Sequence, residues 1–263
     1  MSPKTTPKLS PTRIYRKGER AYFGGSLHDA VLHWPNIADY HIVGGHTLSI
    51  DPKITDEGIL KLFTEAEATG ILLLQQGFFL LHASSVLING QAYVFCGTPG
   101  AGKSTTAAAF VKAGHAPLAD DMTVIGFDQN QQPFVVPQGR SIKIWQNTAT
   151  KLDFDQSKLS PCFEGHDKFY YHFEGQYPSE PVPLGGIYLL HRSNRFGQTQ
   201  PLPLGQVPFE LAKHFPLPHQ LLKGEYLRKH FIECINIAKN APIIRQRRPE
   251  GFEHLRNWVE SKR

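Results

Sequence analysis

Gly97-Thr98-Pro99-Gly100-Ala101-Gly102-Lys103-Ser104 is the stretch on which the reading of this chain turns. It fits the pattern G-x-x-x-x-G-K-[ST] at every fixed position. The flanks fit as well. Ala92–Cys96 is a β-type run leading in, and an Ala-rich stretch without helix breakers leads out to Gly114, a helix-ending glycine. Strand, glycine loop and helix in that order form a cradle for phosphate. The glycines let backbone N–H groups curl around a phosphate with no Cβ in the way. The helix N-terminus adds roughly half a positive charge at the same place. Gly97 to Ser104, with Thr105 after them, are therefore the candidate nucleotide-binding residues. Lys103 would reach the β- and γ-oxygens and Ser104 would hold Mg²⁺, so ATP and Mg²⁺ are the expected ligands.

Beyond the loop helix the chain reads Ala116-Pro117-Leu118-Ala119-Asp120-Asp121. A carboxylate at the end of a strand beside such a loop is the usual second Mg²⁺ contact. Successive strand residues face opposite ways, so two acids can share one site only where the strand ends and the backbone turns. One acid would then face the metal and the other an acceptor hydroxyl. His82, in Leu80-Leu81-His82-Ala83-Ser84-Ser85, lies upstream of the loop strand; alone, it reads more readily as a neutral core histidine. Arg140, Lys143, Lys168 and Arg192 fall in or beside loops and are candidate phosphate clamps, although any one of them alone reads as a surface charge.

Outward from this centre, residues 13–50 hold short candidate strands: Arg13–Tyr15, Ala21–Phe23, His41–Val43 and Thr47–Ile50. A helix is expected from Thr55 or Asp56, stopping at Gly70. The apolar runs Ile71–Leu74 and Phe78–Leu81 follow. Ser85–Ile88 and Ala92–Cys96 flank Asn89-Gly90, a hairpin signal. Residues 126–185 read as short strands and functional loops, and Ile187–Leu190 as a buried strand. Leu227, Phe231, Ile235 and Ala238 recur at helical spacing and predict one inward face. A short strand, Pro242–Arg245, and a terminal helix carrying Phe252, Leu255 and Val259 complete the pattern. The expected organisation is a loose tail over 1–12, a β section over 13–54 and the main domain over 55–263.

Composition narrows the classes. With 40% hydrophobic and 19% charged residues, wholesale disorder is excluded. The stretch Ile71–Ile88 is interrupted by Gln75, Gln76 and His82, too polar for a spanning helix. The first residues carry no apolar leader, and Cys96, Cys162 and Cys234 form neither a disulfide framework nor a zinc knuckle. A reduced cytoplasm is the expected compartment. The formal net charge of +5 is concentrated at the two ends, which suits solubilising termini better than a nucleic-acid face, since no aromatic residues interleave with the basic ones.

Taken together, Leu81-His82-Ala83-Ser84, the Gly97–Ser104 loop, Gly114-His115 and Asp120-Asp121 resemble the catalytic domain of HPr kinase/phosphorylase and its stand-alone relatives. The resemblance is strongest over residues 80–125. It continues through Pro137–Trp145, Pro181–Leu190 and Pro242-Ile243-Ile244-Arg245…Pro249. It implies an α/β fold of the phosphoenolpyruvate-carboxykinase-like P-loop type, with a mixed central sheet, an N-terminal β extension and C-terminal helices. By the same resemblance Asp120 would be the base for the acceptor hydroxyl, Asp121 the metal-site carboxylate and His82 a histidine close to the transferred phosphate. Pro99 stands where the bifunctional enzymes usually carry Ser, and Thr105 where they carry Glu. Ser141–Trp145 offers no carboxylate for the family's further acidic metal motif. These departures point away from HPr itself and from the reverse reaction.

The reading that follows is an ATP- and Mg²⁺-dependent kinase acting on a serine-type hydroxyl of a protein, a peptide precursor or a small molecule. It would have no membrane partner, and the resemblance leaves room for a homo-oligomer. The alternative is a regulatory P-loop NTPase that switches partners without a phosphoacceptor. Such a protein needs a water-orienting residue, often Gln, and Met122-Thr123-Val124-Ile125 offers none.

Overall fold

A computed structural model describes residues 7–163, 165, 167–192 and 199–262. The chain is mixed α/β and divides into two compact units: Met1–Phe78 with Pro216–His230, and Phe79–Phe215 with Phe231–Arg263. The first boundary falls after Phe78, well beyond the expected change at residue 54. The reason is local: the helical stretch after residue 55 lays its apolar side on the N-terminal strands.

In the first unit, β1 (Ser10–Arg16), β2 (Glu19–Gly25), β3 (Asp29–Trp34), β4 (Ala38–Val43) and β5 (Thr47–Pro52) form an antiparallel sheet in sequence order. Burial alternates along β3 and β4 with period two, so Ala30, Leu32 and Trp34 share one face with Ala38, Tyr40 and Ile42. On that face pack α1 (Glu57–Phe63) and α2 (Thr69–Gln75), with Trp34 and Phe63 edge to face at 4.7 Å. Residues 1–6 of the expected tail lie outside the described residues, and Ser10–Thr12 already belong to β1.

Gly70 does not stop the helix. It is buried inside α2, and a π-turn over Thr64–Ala68 joins α1 to α2. Thr69 donates to Thr64 O through its backbone N–H, the i to i+5 bond of the π-turn, and again through Oγ1 at 2.8 Å. Ile71–Leu74 is thus the last buried stretch of a helix. Gln75 follows, and its amide donates to Leu27 O and Ile42 O while its carbonyl accepts from Gly45 N. The polar residues that break the apolar run close the loop backbone of the sheet.

The second unit opens with β6 (Phe79–Leu81), β7 (Ala83–Ile88) and β8 (Gln91–Cys96), then α3 (Lys103–Lys112), β9 (Pro117–Ala119), β10 (Thr123–Phe127) and β11 (Pro133–Val136). A small sheet follows from β12 (Ser141–Trp145), β13 (Leu159–Pro161) and β14 (Lys168–His172), with α4 (Gln146–Lys151) after β12. β15 (Val182–His191), β16 (Thr199–Pro201), α5 (Val207–Ala212), α6 (Gly224–Asn240), whose residues up to His230 count with the first unit, β17 (Ile243–Arg247) and α7 (Gly251–Glu260) complete the chain. The main sheet runs β6-β10-β11-β15-β8-β7-β9, with β17 also on β15 and β16 on β17. β15 is parallel to both β8 and β17; the other pairs are antiparallel.

Both faces of this sheet are covered. Ala92, Val94, Cys96, Ile187 and Leu189 join Val207, Leu211, Cys234 and Ile237 in one core. Phe95, Tyr188 and Leu190 face the other way, onto Ala107, Ala108, Phe110, Leu255 and Val259 of α3 and α7. This explains why β8 reads as a near-continuous apolar run.

The inward stripe of α6 is Tyr226, His230, Glu233, Cys234 and Ile237, one residue out of step with the expected Leu227, Phe231, Ile235 and Ala238, which are only half-buried. Tyr, His and Cys supply part of the buried face and escape an apolar-periodicity reading. Burial pushes His230 down to about 4, from an ordinary value near 6.5. Its contribution to stability is therefore full above about pH 6.5 and lost as pH falls toward 4. In denaturant titrations from pH 7 to 4.5, His230→Gln is expected to flatten the pH dependence by one proton, about 1.4 kcal/mol per pH unit. An unchanged slope would contradict this.

Candidate functional site

The Gly97–Ser104 loop leaves β8 at Cys96 and enters α3 at Lys103. Gly100 and Gly102 take φ of +79° and +101°, values that an L side chain resists. Gly97 is constrained by space: a Cβ there would lie 2.8 Å from both Ala101 Cβ and Leu190 O. Thr98 O accepts from Ala101 N at 3.0 Å, folding Thr98–Ala101 into a tight turn, and Gly102 O takes the first helical N–H, from Thr106. Thr98, Pro99 and Gly100 are exposed at the tip. Lys103 is buried across the loop and donates from Nζ to Gly97 O at 3.0 Å. Burial lowers its pKa against the pull of Cys96, Asp121 and Asp120, so both carboxylates lie within electrostatic reach of its amine.

β9 ends at Ala119, and the backbone turns at the acid pair. Met122 N donates to Asp120 O, and Asp121 adopts φ +65°, a left-handed conformation that Asp tolerates better than most residues. That turn lets adjacent acids serve one site. Asp120 accepts from Ser84 Oγ at 2.9 Å and from Lys143 N at 2.8 Å. Burial, then the neighbouring Asp121 charge, pushes Asp120 up to about 6 against those donors. Asp121 accepts from Lys143 Nζ at 2.8 Å. Burial raises its pKa, but the Lys143 ammonium and its hydrogen bond, with Lys168 and His82, outweigh that and hold it below the usual carboxylate range.

The candidate residues divide accordingly. His82 stands near Asp121, and its backbone N–H donates to His214 O at 2.6 Å. Lys143, from β12, belongs to the acid pair. Lys168 acts on Asp121 and Lys103 from the start of β14, its amine 5.1 Å from the Trp145 ring centre. Arg192 reaches the loop cleft. Arg140 is drawn elsewhere: it donates to Gly175 O at 2.9 Å and stacks on Tyr177.

The cleft beside the loop has a volume of about 420 Å³, within the ordinary range for small-ligand sites. Gly100, Gly102, Lys103, Ser104 and Thr105 form one wall, and Trp145, Asn147, Thr148, Arg192, Arg248 and Phe252 the remainder. Thr105 and Thr148 approach through their hydroxyls at 3.4 Å.

Sequence reasoning missed Ser84, His214, Thr148 and Arg248. Ser84 lies two residues after His82, past a bend that separates β6 from β7. The other three arrive through long-range packing, and no local signal marks them. Burial, then Lys103 and His82, pushes His214 down to about 4, so it stands neutral beside Lys103.

An Mg²⁺ arriving with a nucleotide would find suitable donor types here. Mg²⁺ characteristically takes one or two carboxylates together with phosphate oxygens and water, rather than a full protein cage. Asp121, held in its charged form, and Ser104 match that habit. Among the described residues no cluster of three His, Cys, Asp or Glu side chains forms a self-sufficient metal cage, and no helix is long and apolar enough to cross a membrane.

No protein-family model matches the chain, and no curated protein matches it. Among solved structures, the Hpr(Ser) kinase/phosphatase from Coxiella burnetii is similar over 48% of this chain, at 16% identity and a TM-score of 0.28. The matched region spans 64% of that protein's length. This is a distant structural relation only.

The acid pair generates a stability test. Asp120→Asn can keep both contacts, because the Ser84 hydroxyl can turn to accept from the new amide while Lys143 N still donates to its oxygen. The substitution also removes a charge that its surroundings disfavour. Without nucleotide or metal at pH 7, the Asp120→Asn variant is expected to melt at or above the wild-type temperature. A fall of several degrees would contradict the electrostatic description.

Proposed function

We propose that this chain is an ATP- and Mg²⁺-dependent kinase of the HPr kinase-like type, built on the phosphoenolpyruvate-carboxykinase-like P-loop fold, that phosphorylates a serine-type hydroxyl. The acceptor class is a protein, a peptide precursor or a small molecule. One observation carries the reading: Asp120, half-buried and held by Ser84 and Lys143, stands at a strand end within electrostatic reach of Lys103, whose own loop fits the triphosphate-binding pattern. A carboxylate raised toward neutrality is suited to take up a proton, and one held in its charged form to meet a cation.

The residues divide the work as follows. Backbone N–H groups of Gly97–Ser104 bind the polyphosphate. Lys103 spends one of its three protons on Gly97 O and keeps two for phosphate oxygens. Ser104 and Asp121 would hold Mg²⁺, which, when bound, supplies neutralisation of phosphate charge. Each Asp120 oxygen already accepts one hydrogen bond and retains a second lone pair, so the carboxylate can take the acceptor hydroxyl's proton without giving up Ser84 or Lys143. Orientation of the hydroxyl and stabilisation of developing charge would supply most of the acceleration, as in phosphoryl transfer generally. His82 lies beside Asp121 and would sense the same charge.

Incubation with γ-labelled ATP and candidate acceptors tests the reading. Transfer of label to a hydroxyl is expected, with Asp120→Asn cutting turnover by about 10²–10⁴-fold while nucleotide affinity is nearly unchanged. Lys103→Ala is expected to weaken both affinity and rate. Release of free phosphate with no acceptor labelled would favour the regulatory NTPase instead. Full turnover in the Asp120→Asn variant would remove Asp120 from the mechanism.

A further inference from the structure

The three parallel strands of the second unit end side by side. Cys96 is paired with Leu189, and Arg247 with His191, so β8, β15 and β17 finish at one edge. The residues just beyond those ends are the Gly97 loop, Arg192 and Arg248. In open α/β sheets this carboxyl edge is where ligands bind. Arg248 N donates to His191 O at 2.9 Å, which anchors the second arginine beside the first.

The Arg248 side chain turns back across this edge onto the loop. A Cβ placed on Gly102 would lie 2.4 Å from Arg248 Cδ and 2.5 Å from its Nε, so only glycine lets the guanidinium lie against the start of α3. Arg248 is 9% exposed, and its Nε is buried with no hydrogen-bond partner among the described residues. Arg192 lines the same cleft, and its charge adds to burial in making a second guanidinium costly there. The cleft wall carries Lys103, Arg192, Arg248 and the positive end of α3, with no Asp or Glu among its described residues. A buried guanidinium with an unpaired donor is disfavoured, and an anion seated in the cleft reduces the penalty.

We propose that Arg248, assisted by Arg192, is an anion clamp for the α- and β-phosphates of a nucleoside polyphosphate, on the wall of the Gly97–Ser104 loop away from Asp120 and Asp121. The assignment to the retained phosphates rests on what shares the cleft: Thr105, Thr148, Trp145 and Phe252 line it, and the acid pair does not. It rests also on the kinase reading above, which supplies the nucleotide. Arginine suits this task because its planar fork matches two phosphate oxygens at once.

Titration calorimetry of the full chain with MgADP and MgATP, alongside thermal melts, tests the clamp. Arg248→Ala is expected to weaken MgADP and MgATP by the same factor, about 10- to 100-fold for a charged hydrogen bond lost. Arg248→Lys should restore part of that loss, and Arg192→Ala should give a smaller loss in the same direction. Without ligand the Arg248→Ala variant is expected to melt no lower than wild type, because a costly charge is gone, while the nucleotide-induced rise in melting temperature shrinks. Normal binding of both nucleotides by the Arg248→Ala variant overturns the clamp and leaves the kinase reading standing. So does a ligand-free melt that falls while the nucleotide-induced rise persists, which would make Arg248 a packing residue. Loss confined to MgATP would move Arg248 to the transferred phosphate and overturn the assignment. Wild type that binds neither nucleotide overturns the loop reading itself, without recourse to the variants.

Discussion

Parallel pairing of β15 with β8 on one side and β17 on the other is the constraint on which the site depends. Parallel neighbours need crossover connections, so their carboxyl ends must collect at one edge of the sheet. Here that edge receives the glycine loop, Arg192 and Arg248 from three strands far apart in the chain. Cores on both faces hold the strands in register, through Val94 and Ile187 on one side and Phe95 and Tyr188 on the other. A one-residue slip of β15 would exchange those faces.

Charge is sorted around the loop. On one side, Asp120 and Asp121 are met by Ser84, Lys143 and Lys168; burial and the Asp121 charge still keep Asp120 raised, while the lysines hold Asp121 lowered. On the other side lies a wall with arginines and, among its described residues, no acid. Lys103 stands between, buried and bonded to Gly97 O. Under the proposed kinase reading this division would suit an extended polyanion, which needs cations along its length and a proton acceptor only where a bond changes.

The parts legible in the sequence are those whose chemistry is local. Gly97, Gly100 and Gly102 announce a loop that few other residues could build. Asn89-Gly90 announces a hairpin, and Asp120-Asp121 after a short apolar strand announces two acids at a turn. Contributions that depend on distant pairing are not legible. Arg248 reaches Gly102 from far along the chain only because β17 lies on β15, and Lys143 is legible as a basic residue but not as the partner of both acids. Arg140, equal to Lys143 on sequence grounds, is drawn off by Tyr177. Gly70 reads as a helix stop, yet a π-turn lets the helix continue through it. The face of α6 escapes an apolar pattern because Tyr226, His230 and Cys234 occupy it.

The most direct measurement is a crystal structure of the chain with Mg²⁺ and a non-hydrolysable ATP analogue. The account requires the phosphates to lie along Gly97–Ser104, with the terminal phosphorus between Lys103 and Asp120 and room for a hydroxyl within about 3 Å of that carboxylate. A nucleotide bound elsewhere, or one whose terminal phosphate points away from the acid pair, would contradict it.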